Sequence, residues 1–119
     1  MYFHDIKSSE LSWTNKSTLA TYSATPGFLR YFCRNCGSFL AWGADPDQGD
    51  LEFTVGTVDE KWLITERDES GKPKGGFGLD LADPNSTWFW SLNEIKGVTD
   101  DHPGVKFSKG TPDGPMNCE

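Results

Sequence analysis

Residues 31–40, YFCRNCGSFL, place two cysteines, Cys33 and Cys36, two residues apart between two apolar runs. Two thiolates at this spacing bind one tetrahedral zinc ion when the backbone between them folds into a tight turn. Gly37 directly follows the second cysteine and suits that turn, because glycine tolerates positive φ. The apolar residues on both sides are typical of strands. The stretch therefore predicts a zinc knuckle at the tip of a β-hairpin, with Cys33 and Cys36 as metal ligands.

The number of ligands limits this prediction. A structural zinc site usually has four protein ligands, and the cysteine pair supplies only two of them. The other candidates within the chain are one further cysteine, Cys118, and the two histidines, His4 and His102, a residue type more often found at the surface. A second copy of the chain could also supply ligands across a dimer. We expect an incomplete site, in which this chain provides half of the zinc coordination.

The same cysteine spacing also occurs in redox-active dithiols. In those proteins the first cysteine lies at the N-terminus of a helix, whose dipole lowers the pKa of the thiol. Here residues 38–42 follow Gly37 and are typical of a strand rather than a helix. A redox centre would show a helix beginning near Cys33 and a strongly lowered thiol pKa, and we expect neither. Two thiols without a role are the remaining alternative.

The composition is that of one mainly β domain. The chain has 119 residues, of which 35% are hydrophobic, and its large apolar side chains are five Trp, eight Phe and three Tyr. Thirteen Gly and seven Pro, with few long runs of helix formers, indicate short strands joined by many turns. We expect residues 1–107 to form the folded domain and residues 108–119 to be a loosely ordered tail.

The charge balance argues against two classes of partner. The formal net charge is −7, the isoelectric point is near 4.7, and lysine and arginine do not cluster. Such a chain is expected to bind neither nucleic acid nor anionic membranes. Residues 1–5 lack the pattern of a secretory signal, and an odd number of cysteines gives no disulfide framework. These features predict a cytoplasmic protein.

Apolar alternation and turn residues predict the strands. Residues 51–58 show the clearest alternation, with Leu51, Phe53 and Val55 on one face, which is typical of a half-buried antiparallel strand. Further strands are predicted at residues 19–22, 28–32, 38–42 and 88–92. The pattern as a whole predicts antiparallel sheets arranged around the knuckle.

The segments between these strands give weaker patterns. Residues 2–13 are predicted to be extended and to end in a turn. Residues 61–64 either extend the sheet or form a turn packed by Trp62. Residues 65–86 are rich in Gly, Asp, Lys and Pro, which predicts a long loop.

Two other features have structural interpretations. Asp100-Asp101-His102 is an acidic cluster with an adjacent histidine, but a proline follows it in an apparent turn, so solvated loop charge is the favoured interpretation. Trp88 and Trp90 alternate with a phenylalanine, and we expect them to pack in the core rather than to bind a ligand.

Four segments together carry a resemblance to a known family. They are residues 19–22, 28–30, 32–40 and 56–59, which contain an arginine, the Cys-x-x-Cys-Gly motif and Gly-Thr-x-Asp. Their order and spacing resemble the glutathione-dependent formaldehyde-activating enzyme and centromere protein V family. The resemblance runs from about residue 6 to residue 59, with a weaker match at residues 95–100.

The resemblance implies a fold, an activity and a metal. Members of the family have a β-tent fold, with antiparallel sheets around zinc-bearing loops. Their activity is that of a carbon-sulfur lyase, which joins glutathione and formaldehyde to give S-hydroxymethylglutathione. Their structural zinc is held by an early Cys-x-Cys pair and a late Cys-x-x-Cys pair. The resemblance assigns the late pair to Cys33 and Cys36.

The chain departs from the family pattern in its cysteines. Neither the early Cys-x-Cys pair nor the Cys-x-Cys-x-x-Cys motif of the catalytic zinc has a counterpart here. We therefore expect residues 1–107 to be an incomplete domain, and we assign no catalytic or cofactor-binding residue beyond the two cysteines. The expected function is that of a lyase-family member without the catalytic zinc ligands; the alternative is a non-catalytic zinc-binding or interaction module.

The expected partners follow from the same resemblance. Glutathione or another small thiol adduct is the expected partner of the intact protein. An incomplete domain leaves apolar surface uncovered, so we also expect self-association.

Overall fold

The computed structural model describes residues 1–44, 49–83 and 86–108. These residues are mainly β, with a five-stranded antiparallel sheet, a two-stranded hairpin and helical segments of three or four residues. The chain divides into two compact units, residues 1–81 and residues 82–119. No helix in the described ranges is long and apolar enough to cross a membrane. The predicted tail, apart from Ser108, lies outside the described residues.

The large sheet belongs to the first unit and has the strand order β1-β5-β4-β3-β2. Its strands are β1 (Phe3–Lys7), β2 (Leu19–Tyr22), β3 (Phe28–Cys33), β4 (Phe39–Ala44) and β5 (Asp50–Thr54). Every neighbouring pair is antiparallel. Strands β2 to β5 follow one another as a meander, whereas β1 pairs with β5, and a 3₁₀ turn at Ser8–Glu10 follows β1. The mainly β, antiparallel class predicted from the sequence is confirmed.

One face of this sheet carries the core. Tyr31, Ala41 and Leu51 are buried there, at exposures of 5%, 1% and 3%. Leu11 and Trp13, from the segment that precedes β2, pack against them, and the Trp13 ring stacks on Tyr31 with centroids 5.5 Å apart. Phe53 joins Leu51 on this face as predicted, whereas Val55, the third residue of the predicted alternation, is buried in the turn that follows β5.

The opposite face carries a row of residues matched in register across all five strands. The row consists of Asp5, Glu52, Trp42, Arg30 and Tyr22, from β1, β5, β4, β3 and β2 in turn. Trp42 stacks on Phe28, with ring centroids 5.1 Å apart. Tyr22 is 61% exposed and Phe28 is 36% exposed. This face therefore combines aromatic and charged side chains, and it is more open than the core face.

A β-bulge interrupts the pairing of β3 with β4. The register shifts between Tyr31 and Phe32, so that Phe32 pairs with Phe39 and Leu40 is the extra residue. Leu40 packs against the core, while the Phe39 ring makes an edge contact with Phe3 at 5.9 Å. Because of the bulge, the successive residues Phe39 and Leu40 of β4 contact different parts of the structure.

At the end of this sheet the structure corrects one prediction and decides between two alternatives. The strand predicted at residues 51–58 ends at Thr54, because residues Val55–Thr57 form a 3₁₀ turn that Val58 N closes on the Val55 carbonyl at 3.1 Å. Residues 61–64 do not extend the sheet, since Glu60–Leu63 form one helical turn, α1. The turn that was the other alternative for these residues is therefore present, and Trp62 within it is 59% exposed.

The long loop predicted at residues 65–86 contains regular structure. A hairpin pairs β6 (Glu66–Arg67) with β7 (Pro73–Lys74), and a second helical turn, α2, spans Gly78–Leu81. The Asp68 carboxylate stabilises the turn between these two strands by accepting three hydrogen bonds within it. Its Oδ1 accepts hydrogen bonds from Ser70 N at 2.8 Å, Ser70 Oγ at 2.6 Å and Lys72 N at 2.9 Å.

The described part of the second unit is irregular, and the strand predicted at residues 88–92 is wrong. Trp88 makes an isolated parallel bridge to Lys106, and Ser91–Asn93 form a 3₁₀ turn. Trp90 has a left-handed backbone, with φ 63°, which stops a strand at this point. It is also 55% exposed, so its predicted core packing is wrong as well.

Candidate metal centre

The two cysteines of the motif lie on one tight turn between β3 and β4. Cys33 ends β3, and its backbone N–H donates to the Ser38 carbonyl at 3.0 Å. The Gly37 N–H donates back to the Cys33 carbonyl at 2.7 Å, and Gly37 has φ +76°, as the sequence argument required. The predicted turn at the tip of a hairpin is therefore present, while zinc binding by it stays a prediction.

Hydrogen-bond donors converge on the sulfur of Cys33. They are the Cys36 backbone N–H, the Thr18 hydroxyl, the Asn35 backbone N–H and the Cys36 thiol, in order of decreasing effect on the thiol. Together they lower the pKa of Cys33 to about 7, against a smaller opposing effect of burial. The expectation of a thiol without a strongly lowered pKa is therefore wrong.

The cause of this lowered pKa differs from that in redox-active dithiols. Within residues 31–44 the backbone goes from strand to turn to strand, and no helix begins near Cys33, as expected. The stabilising charges are the partial charges of the turn amides and of one hydroxyl, not a helix dipole. Amides that point at a cysteine sulfur favour the thiolate, which is the form that binds metal.

Arg34 fixes the turn to the neighbouring strand. Its backbone N–H donates to the Thr18 carbonyl at 2.8 Å, and its Nη2 donates to the Leu19 carbonyl at 3.2 Å. These contacts hold Thr18 beside Cys33, because Leu19 pairs with Cys33 in the β2–β3 register. Thr18 was missed in the sequence argument. Its position beside Cys33 follows only from the β2–β3 register, in which Thr18 directly precedes Leu19, the residue that pairs with Cys33.

Cys36 is the more accessible of the two thiols. It is exposed, whereas Cys33 is partly buried, and neither is in a disulfide. The Cys36 sulfur and the Ser38 hydroxyl are in hydrogen-bond contact at 3.2 Å. The pair therefore presents one anchored sulfur and one open sulfur on the same turn.

None of the other predicted ligand candidates belongs to the turn that carries the two cysteines. His4 lies on β1, which β5 and β4 separate from β3, and its ring is 5.8 Å from the ring of Phe53. His102 belongs to the second unit and stacks on Trp88, with centroids 3.6 Å apart. Cys118 lies outside the described residues. Within the described ranges, no group of three or more His, Cys, Asp or Glu side chains could hold a metal ion.

The first residue of the cluster Asp100-Asp101-His102 stabilises the turn that precedes it, at residues 96–99. The Asp100 carboxylate accepts a hydrogen bond from Gly97 N at 2.8 Å, and its backbone carbonyl accepts one from Lys106 Nζ, also at 2.8 Å. The Lys106 ammonium in addition bonds Glu94 Oε2 at 3.0 Å, in a pair that is largely shielded from solvent. These contacts support the structural interpretation of the cluster.

One pair of carboxylates was missed in the sequence argument. Asp5 on β1 and Glu52 on β5 lie directly opposite each other in the register. Burial, and then the charge and hydrogen bond of Asp5, raise the pKa of Glu52 to about 7. The two residues are far apart in the sequence, so only knowledge of the β1–β5 pairing could have identified the pair.

No family model, curated protein or solved structure matches this chain. The resemblance to the formaldehyde-activating enzyme family accordingly stays a prediction carried by residues 19–59.

Proposed function

We propose that this chain is a zinc-binding module of the formaldehyde-activating enzyme type, with a β-tent-like sheet, in which Cys33 and Cys36 supply two sulfur ligands. The observation that carries the proposal is the convergence of two backbone N–H groups and the Thr18 hydroxyl on the sulfur of Cys33. Such donors stabilise a thiolate before any metal arrives, and zinc binds cysteine as the thiolate.

The residues of the knuckle fit zinc in their chemistry and in their backbone. Thiolates are among the preferred ligands of this ion, and two of them on one tight turn can occupy adjacent corners of a tetrahedron. Gly37 permits the turn, and Arg34 ties it to β2. A bound zinc ion would join the end of β3, at Cys33, to the turn residue Cys36 and so would add a metal cross-link to the hydrogen bonds of the turn. Free thiols of this kind persist in a reducing compartment, which agrees with the proposed cytoplasmic location.

The remaining ligands come from outside the described residues or from a second copy of the chain. Cys118 is a candidate of the first kind. The second kind makes zinc binding and self-association one event, since two chains would share a single ion. The stoichiometry of bound zinc distinguishes these sources.

The test is metal analysis of the chain purified under reducing conditions, with sedimentation of the same sample. One tightly bound zinc per chain, absent from the Cys33→Ser, Cys36→Ser double variant, is the expected result for ligands within the chain. Half a zinc per chain, together with a dimer in sedimentation, is the expected result for a shared site. The Cys118→Ser variant is the matched control, because it removes a thiol outside the knuckle and loses zinc only if Cys118 is a ligand. A zinc-free chain would overturn the proposal.

Carbon-sulfur lyase activity is the second candidate function, and the motif segments within residues 19–59 favour it. Its substrates would be glutathione or another small thiol together with formaldehyde. Formation of S-hydroxymethylglutathione by the zinc-loaded chain, above the rate with the double serine variant, would support this activity. We expect no such difference, because the described residues supply a single cysteine pair and that pair is assigned to a structural site.

A further inference from the structure

The structure places the two cysteines of the knuckle three positions apart on one tight turn. The Gly37 N–H closes this turn on the Cys33 carbonyl at 2.7 Å, and the Cys33 N–H donates to the Ser38 carbonyl at 3.0 Å. A turn of this kind brings its first and fourth Cα atoms within about 7 Å of each other. Disulfides span Cα separations up to about 6.8 Å. The backbone is therefore already close to the geometry of an intramolecular disulfide.

The two thiols also differ in access, which sets an order of reaction. Cys36 is exposed and faces the Ser38 hydroxyl, so a small molecule can reach its sulfur. Cys33 is partly buried at the end of β3 and is held by its backbone bond to Ser38 and by the Thr18 hydroxyl. A reagent that attaches to Cys36 would consequently find Cys33 beside it and already in place.

We propose that Cys33 and Cys36 form a thiol–disulfide exchange site, at which a small-molecule disulfide converts the pair to an intramolecular disulfide. In the first step the Cys36 sulfur, after its thiol proton has passed to solvent, attacks the small disulfide, breaks its S–S bond and forms a mixed disulfide, and the small thiolate that leaves takes up a proton. In the second step the Cys33 thiolate attacks the Cys36 sulfur, breaks the mixed disulfide and releases the second small thiol. The two cysteines lose two electrons and two protons, and the small disulfide takes up both.

This modification regulates the site, and that consequence rests on the proposed function. Zinc binds thiolates, so a Cys33–Cys36 disulfide removes both of the sulfur ligands at once. A bound zinc ion in turn occupies the sulfur lone pairs and protects the pair from exchange. Metal-loaded and oxidised chains are therefore mutually exclusive states of one turn.

The test uses the full chain carrying Cys118→Ser, stripped of metal, with 2-hydroxyethyl disulfide as the probe. The expected product has lost two hydrogen atoms, carries no hydroxyethylthio adduct and returns to the starting mass with dithiothreitol. Trypsin cuts after Arg34, between the two cysteines, so the disulfide is expected to join two tryptic peptides that separate on reduction. A stable adduct on either cysteine, or no reaction, would overturn the proposal.

The Cys33→Ser variant of the same chain separates exchange from simple attachment. It keeps the exposed thiol and lacks its partner, so it is expected to stop at the mixed disulfide, with the adduct retained on Cys36. Loss of the adduct from this variant would show that Cys33 is not the resolving residue and would overturn the proposed order.

A further arm keeps this proposal distinct from zinc binding. Zinc added before the probe is expected to slow disulfide formation by about tenfold or more, because the metal competes for the same thiolates. Disulfide formation at an unchanged rate with zinc would overturn the regulatory consequence. A chain that binds no zinc but still forms the disulfide would remove the proposed function and leave the exchange site standing.

Discussion

Glu52 lies on β5 opposite Asp5 on β1, with Trp42 opposite it on β4. Burial raises the pKa of Glu52 to about 7, and the charge and hydrogen bond of Asp5 act in the same direction. The other charged groups on this face are Lys7 and Asp50, which pair with each other, and Arg30 beyond Trp42. The folded chain therefore holds a proton on Glu52 more tightly than the unfolded chain does.

The Glu52→Gln variant tests this arrangement through the pH dependence of stability. The protonated Glu52 carboxyl stabilises the folded chain. This contribution to stability is fully present below the ordinary pKa of 4.5 and is lost as the pH rises through about 7. After allowance for screening of a partly exposed group, the variant is expected to gain about 1 kcal/mol of unfolding free energy over the parent chain at pH 8. At pH 4 the two chains are expected to be equal. Urea denaturation at both pH values measures the difference.

The Glu69→Gln variant is the matched control for this prediction. Glu69 is an exposed acid in the β6–β7 turn and has the same charge. It is expected to show no gain at either pH. A Glu52→Gln effect of equal size at pH 4 and pH 8 would contradict the assignment of a raised pKa.

Among single residues, the sequence predicts those whose role is local. Cys33, Cys36 and Gly37 could be assigned because a turn depends on adjacent positions. Thr18 could not be assigned, since its hydroxyl reaches Cys33 only through the register of β2 on β3. The Glu52 pKa was out of reach for the same reason, because its partner Asp5 lies on a strand distant in sequence.

At the scale of elements, the bulge in β4 is fixed by one buried hydroxyl. Thr54 is 2% exposed, and its Oγ1 donates to the Phe39 carbonyl at 2.7 Å. The Thr57 Oγ1 lies 3.0 Å from the Thr54 Oγ1, and the Thr57 hydroxyl donates to the Thr54 carbonyl at 2.8 Å. These hydroxyls donate to the carbonyls of Phe39 and Thr54, close to the bulge that interrupts the pairing of β3 with β4.

The Thr54→Val variant is expected to lose about 1–3 kcal/mol of unfolding free energy, because it takes the hydroxyl donor away from the part-buried Phe39 carbonyl while preserving side-chain shape. Urea denaturation of the first unit's sheet measures the loss. Thr21→Val is the control, since Thr21 is exposed on the edge strand β2, and its change is expected to stay within about 0.5 kcal/mol. Equal losses in both variants would show that the Thr54 hydroxyl has no special role.

The predicted elements succeed where alternation and turn residues agree. The strand at residues 19–22 has the bounds predicted for it, and the β3–β4 hairpin lies where the knuckle motif places it. Bulky apolar residues alone suggested the strand at residues 88–92 and the sheet extension that was one of two alternatives for residues 61–64. At both places the backbone follows other constraints, a helical turn in the first case and the left-handed Trp90 in the second.

At the scale of the molecule, composition predicted the mainly β class, because abundant aromatics, glycine and proline favour short strands and turns. It could not predict the boundary near residue 82, where the two compact units divide. Nor could it complete the proposed zinc site. Cys33 and Cys36, its two proposed ligands, lie three positions apart in sequence, whereas any others would depend on contacts that no local pattern records.

The placement of β1 at the far edge of the sheet has a consequence for the order of folding. Strands β2 to β5 pair with their neighbours in sequence, so each hairpin closes a short loop at a small cost in chain entropy. β1 must instead find β5 across the whole meander, and such distant pairings form late. During refolding the backbone amides of β1 are accordingly expected to gain protection from hydrogen exchange after those of β3 and β4. The strand that precedes the other four in sequence is then the last to join the sheet.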